Sequence, residues 1–238
     1  NTTTYESAAK VSVNTISGET RALLVNADVI LSGALDVSAT DMTTLTAGSK
    51  DFEGILSDFS GVNLSLAAAV NQMDKTVEAA IEGGTASGGD IEITAKNEQH
   101  MVSKAEALQA IEDSVDISTY SYAMGGSISS NEMLGETIAA IRSGADVSGT
   151  SVLVDANNSA IMDSTTDATT KITGGAGSAV GVSVAFNLVG YDVDNIFVLG
   201  IDTLLGLGLG ATGTPSNAHA YIDASQVAAT GGALIVKA

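Results

Sequence analysis

A chain of 238 residues with 28 acidic and 9 basic side chains, net charge −19, is set against a phosphate backbone and against an anionic membrane surface. It has no cysteine, which removes disulfides and thiolate metal sites. Its 45% of apolar residues are too strongly patterned for a disordered chain.

In chain order, the first element is a strand over 8–16 (AAKVSVNTI), carrying Asn14 near its end and followed by a turn at Gly18-Glu19-Thr20. The same strand returns at 64–73 (LSLAAAVNQM), 122–133 (YAMGGSISSNEM) and 180–189 (VGVSVAFNLV). These copies align on Asn71, Asn131 and Asn187, so that the four asparagines follow one another at 57, 60 and 56 residues. The third copy repeats the turn literally as Gly135-Glu136-Thr137. Ahead of each asparagine, alternate positions form columns. Val11, Ala68, Ile128 and Val184 make one, and Ala9, Leu66, Gly126 and Val182 another. Between them lie Lys10, Ala67, Ser127, Ser183 and Ser12, Ala69, Ser129, Ala185. This period of two, one face apolar and the other small or polar, predicts a half-buried strand.

A second block follows each strand, at 22–39, 79–95, 139–156 and 220–238: an alanine, an apolar residue, a small-residue turn, then apolar-x-apolar-x-Ala. Gly33, Gly89 and Gly232 precede the final strand at one offset and predict a tight turn with positive φ, although Thr150 stands there in the third copy. Between blocks, 49–61 places Phe52, Ile55, Leu56 and Phe59 at helical spacing. Ser103–Val115 does the same with Ala105, Leu108, Ile111 and Val115, so both segments predict short amphipathic helices. Ser164–Ser178 reads as a longer loop or an extra strand. In the fourth copy, 33 residues separate Asn187 from Ala220, which defines an insertion at 190–215.

Four units result, at approximately 1–61, 62–119, 120–178 and 179–238, and none is large enough to bury its own apolar face. Stacking on neighbours solves that problem, which is the logic of a solenoid. The expected fold is therefore all-β, a single parallel β-helix (β-solenoid) segment with short helical excursions and about two coils per unit. Tandem immunoglobulin-like modules fit poorly, since they need roughly 100 residues each and an aromatic core, and this chain has no tryptophan.

Few residues offer chemistry. Asn14, Asn71, Asn131 and Asn187 suit a structural amide ladder better than a ligand site. His100 and His219 occupy unrelated positions in their copies, without metal-ligand spacing around them. No G-x-S-x-G elbow is present. In the insertion, Ile196, Phe197, Leu199, Leu204 and Leu205 form an apolar face that either packs over the side of the array or serves as an interaction patch. Asp192 and Asp194 have the alternating spacing of hard-cation ligands, and solvated acids are the competing reading. Calcium is the one metal considered and no other cofactor is expected. The run Ile196–Leu209 is too short and glycine-rich to span a bilayer. The chain opens with Asn1 and without a signal peptide, so a mature or excised form is expected.

The combination A-V-G-V-S-V-A-F-N at Ala179–Asn187 with A-Y-I-D-x-S-x-V-x-A-x-G and V-x-A within Ala220–Ala238 resembles the repeats of giant bacterial filamentous adhesins. The resemblance is to the leukotoxin-type filamentous adhesin family and to haemagglutinin-like surface proteins. It implies a right-handed β-helix, secretion to the cell surface, and adhesion or filament building, and it brings no catalytic residues. The expected function is thus a non-catalytic structural or adhesive segment of a long bacterial cell-surface or extracellular filament protein. Its expected partners are neighbouring repeats or copies of itself, head to tail, and cell-surface or glycan ligands. The alternative is a carbohydrate-active β-helix enzyme of the polysaccharide-lyase or glycosidase type, with clustered carboxylates in a groove.

Overall fold

The structure, a computed structural model, describes residues 4–50, 54–57, 61–112, 120–173, 176–190 and 216–238. Every regular element among them is a β-strand, and every strand pairing is parallel. The strands fall into four sheets, which the chain visits in turn. Sheet A holds β1 (Thr4–Val25), β5 (Gly61–Glu82), β9 (Tyr120–Leu134) with β10 (Glu136–Arg142), and β14 (Ala176–Val189) with β15 (Asn217–Ile222). Sheet B is short: β2 (Asp28–Ile30), β6 (Thr85–Ser87), β11 (Asp146–Gly149) and β16 (Gln226–Ala229). Sheet C is long again, with β3 (Leu35–Lys50), β7 (Ile91–Glu106), β12 (Val152–Asp167) and β17 (Leu234–Lys237). Sheet D comprises β4 (Gly54–Ser57), β8 (Gln109–Glu112) and β13 (Thr170–Thr173). After sheet D the chain returns to sheet A beside its previous strand, so Asn14, Asn71, Asn131 and Asn187 are successive Cα partners.

Two expectations are corrected here. Each of the first three repeats makes one pass through the four sheets, and the fourth passes through sheets A, B and C, rather than each making two coils, because strands of 16 and 22 residues take up most of the repeat. The described parts of the two expected helices are strand: Ser49 and Lys50 end β3, 54–57 form β4, 103–106 end β7 and 109–112 form β8. Their helical spacing is overridden by pairing, since β4, β8 and β13 stack in register. The remaining residues of those segments lie outside the described residues.

Sheets A and C face each other, and the interior between them changes character along the strands. Nearest sheet B it is branched and apolar, with Val77, Ala79, Ile81, Ile91, Ile93, Ala139, Ile141, Val152 and Val154. Next comes a polar layer in which Lys75 Nζ meets Asp41 Oδ2 at 3.3 Å and the Thr20 hydroxyl donates to the same oxygen at 2.9 Å. Asn97 and Gln99 belong to this layer and are hydrogen-bonded to each other. Leu45, Met73, Met101 and Met133 follow. Then comes the asparagine row, and beyond it a layer of Ala47, Ala67, Ala69, Ala105 and Ala107. Side chains this small leave only a narrow slot between the sheets, and hydroxyl pairs line its border, Ser103 with Ser129 at 2.7 Å and Ser127 with Ser183 at 2.9 Å.

The corner from sheet A to sheet B uses a left-handed residue in every pass. Asn26, Gly83, Ser143 and Ala224 all have positive φ, at 47°, 63°, 62° and 45°. The glycines expected to do this before β3, β7 and β17 are not the ones that do. Gly33, Gly89 and Gly232 are absent from the positive-φ residues, and instead they sit where successive turns stack closely, Gly89 N–H donating to Gly33 O at 2.7 Å. A β-carbon on Gly89 would lie 3.2 Å from that oxygen.

Candidate interaction surface

The asparagine row is the most regular polar feature. Asn14 Nδ2 donates to Asn71 Oδ1 at 3.0 Å, Asn71 Nδ2 to Asn131 Oδ1 at 2.9 Å, and Asn131 Nδ2 to Asn187 Oδ1 at 2.9 Å. The same amides also donate across the interior to sheet C, Asn14 to Thr46 O and Asn71 to Val102 O at 2.7 Å, Asn131 to Asp163 O at 2.8 Å. Asn71 and Asn131 are fully buried, with donors and acceptor all engaged, so these groups ties four passes and two sheets together without leaving a polar atom stranded.

Because the asparagines point inwards, so do the residues two and four places before them. The small or polar columns, Ala67 and Ala69 or Ser127 and Ser129, are therefore interior, and the apolar columns face outwards. This reverses the expectation that patterning alone suggests for a half-buried strand. Val11, Leu64, Met124, Val180 and Val182 stand on the outer face of sheet A and are exposed. So do Tyr5, Tyr120 and Tyr122, the last two with ring centroids 4.9 Å apart. At the outward positions from Tyr5 to Val13, Val62 to Val70, Tyr120 to Ser130 and Ala176 to Phe186 there is no charged side chain. Ala68, Val70, Ile128 and Ser130 among them are buried, and the exposed remainder around Tyr5, Val11, Leu64, Tyr122, Met124 and Val182 is a neutral, apolar surface on a protein of net charge −19.

The half of the same outer face nearer sheet B is charged. Arg142 Nη2 reaches Glu78 Oε1 at 2.6 Å, its Nε donates to Glu82 Oε1 at 2.9 Å and its Nη1 to the Tyr221 hydroxyl at 2.9 Å. Arg21 Nε holds the other oxygen of Glu78 at 3.0 Å, so one buried carboxylate bridges two arginines from different passes. Partial burial works against the Arg142 charge, but the bonds to Tyr221, Glu82 and Glu78 outweigh it and hold its pKa above the usual arginine value. Inside, burial would raise the Asp41 carboxyl, yet hydrogen bonds from Thr43, Thr20 and Lys75 prevail and lower it.

On the outer face of sheet C, Met42, Thr44, Glu98, His100, Ser159 and Ile161 line an open groove of about 370 Å³. Its one carboxylate, Glu98, is engaged by Lys96 at 2.5 Å. His219 lies on sheet A, in register with Ile138. Among the described residues no group of three or more His, Cys, Asp or Glu side chains is placed to hold a metal ion, and no helix is long and apolar enough to cross a membrane. The sequence candidates Asp192, Asp194, Ile196, Phe197, Leu199, Leu204 and Leu205 lie outside the described residues. The outer face of sheet A is the feature that sequence reading missed. The signal for it is the parity of the asparagines, which share a face with the small residues and not with the apolar ones. No family model, no curated protein and no solved structure matches this chain.

Proposed function

We propose that the chain is a non-catalytic structural and adhesive segment of a long bacterial surface or extracellular filament protein, its four passes forming a stretch of right-handed parallel β-helix. One observation carries the reading: hydrogen bonding runs in register from pass to pass in sheets A, B and C, with the asparagine row as its internal spine. Such an array grows in one dimension by repeating a unit, which is what a stalk or fibre requires. Each added pass lengthens it by about 4.8 Å, the spacing between paired strands. Neighbouring repeats, or a second copy stacked head to tail, are the partners of the ends. Cell-surface molecules and glycans are the partners of the sides.

An antiserum raised against the folded chain tests this. It should label the surface of intact source cells and fibres shed from them, and labelling confined to lysed cells would sink the proposal.

A further inference from the structure

Three of the chain's five tyrosines stand on the outer face of sheet A at the end nearest sheet D. Tyr5 is 76% exposed, Tyr120 51% and Tyr122 48%. Tyr5 and Tyr122 are both Cα partners of Val62, so they occupy one column two passes apart, about 10 Å by the spacing of paired strands. Tyr120 and Tyr122 follow each other at alternate positions of β9 and point the same way. Their rings lie 4.9 Å apart at 54°, and the Tyr120 hydroxyl pairs with Ser178 Oγ of the next pass at 3.1 Å. These two contacts hold the rings in position although water reaches them. Ser7 and Ser178, exposed on the same face, add hydroxyls beside the rings. Amphipathic rings left open in this way are the usual material of a binding surface.

We propose that Tyr5, Tyr120 and Tyr122 form a binding site for an uncharged oligosaccharide laid across the strands, along the direction in which the passes stack. The inference rests on the adhesive reading above and gives its glycan partner a place on the chain. A pyranose carries C–H groups on its faces and hydroxyls around its edge. The C–H groups, weakly positive, meet the negative π face of a tyrosine, and the sugar hydroxyls meet the phenolic and serine hydroxyls. Tyr5 and Tyr122 stand farther apart than one sugar ring is long, so both are engaged only by a chain of linked sugars. Charge decides between occupants. The outward positions around the rings hold no lysine or arginine to receive a carboxylate or sulfate, and a net charge of −19 repels acidic glycans, nucleic acid and a second copy alike. An uncharged saccharide meets none of that repulsion. Because Tyr120 and Tyr122 are already held by each other and by Ser178, little side-chain freedom is lost when the ligand binds.

The test titrates the whole chain with uncharged oligosaccharides of glucose, mannose, galactose and N-acetylglucosamine, and with hyaluronan fragments as the acidic comparison. Binding is read by calorimetry and by the NMR signals of the tyrosine rings. At least one uncharged member should bind and shift the Tyr5 and Tyr122 ring signals, with hyaluronan binding at least tenfold more weakly. Tyr122→Ala should weaken that binding about tenfold, the loss of one stacked ring, while Tyr122→Phe and Met42→Ala on sheet C retain it. All three positions are exposed, so the variants should melt with the parent, which calorimetric scans check. Absence of binding to every uncharged member overturns the proposal. So does binding that survives Tyr5→Ala combined with Tyr122→Ala, or hyaluronan binding as tight as any. A dimer in sedimentation that the same double variant abolishes would assign the face to a second copy and overturn it equally. Saccharide binding in solution is read without regard to where the protein resides, so surface labelling without binding would fail this inference alone.

Discussion

Asn71 and Asn131 lie one pass apart, and the Nδ2 of the first donates to the Oδ1 of the second over 2.9 Å while also reaching Val102 O across the interior. Asn71→Ala removes both donors and the acceptor for Asn14, leaving several buried groups unpaired at roughly 1–3 kcal/mol each. A loss of about 3 kcal/mol in chemical denaturation is expected. Asn14→Ala, in the more exposed first pass, should cost about 1 kcal/mol. Equal effects at the two positions would show that the row does not act as a continuous spine.

The Asp41–Lys75 pair gives stability a pH dependence. The Asp41 pKa is lowered in the folded chain, so its contribution is complete above the ordinary carboxylate value, near 3.9, and is lost as pH falls through that value towards the lower folded one. Asp41→Asn strands a largely buried ammonium and should cost about 3 kcal/mol at neutral pH. Thermal melts between pH 2 and 6 should converge for the two proteins at the acid end. Parallel curves throughout would contradict this.

Ala224 occupies the left-handed corner with φ of 45°. An alanine there carries a steric cost that glycine escapes, partly offset by the larger entropy of glycine in the unfolded chain. Ala224→Gly should therefore stabilise by about 0.5 kcal/mol. At Gly83, in the same column and with φ of 63°, an added β-carbon would collide with Asn26 Oδ1, so Gly83→Ala should destabilise. Calorimetry that finds the same sign for both substitutions would refute the account of the corner.

The inverted faces of the sheet A strands can be tested with one pair of substitutions. Ala69→Leu forces a large side chain into the alanine slot and should cost about 3 kcal/mol or more. Leu64→Ser on the open outer face should stay within about 0.5 kcal/mol. Urea midpoints showing the reverse order would mean that the apolar columns face the interior after all.

The repeat, its period and its strand character are legible in the sequence, because stacked positions in parallel strands meet like environments. Val152 and Val154 pair with Ile91 and Ile93 and repeat the same residue class. The inside of the sheet A strands was harder to read. Alternation locates two faces, but hydrophobicity picks the wrong one where the facing sheets come close enough to accept only Ala and Ser. The helical spacings at Phe52–Phe59 and Ala105–Val115 misled for a related reason: periodicity describes an isolated segment, whereas Gln109–Glu112 is held by partners about 60 residues away. The Asp41–Lys75 layer has no local signature, since its members are 34 residues apart and meet only through the facing of two sheets.

Within the asparagine row, Asn14, Asn71 and Asn131 each donate to the asparagine of the next pass, and Asn71, Asn131 and Asn187 each accept from the one before. The row consequently has a direction, like an arrow drawn through the interior. At its Asn14 end it presents a carbonyl oxygen, and at its Asn187 end an N–H. Arrays of this kind can continue one another only tail to head, and a reversed junction would set oxygen against oxygen or N–H against N–H.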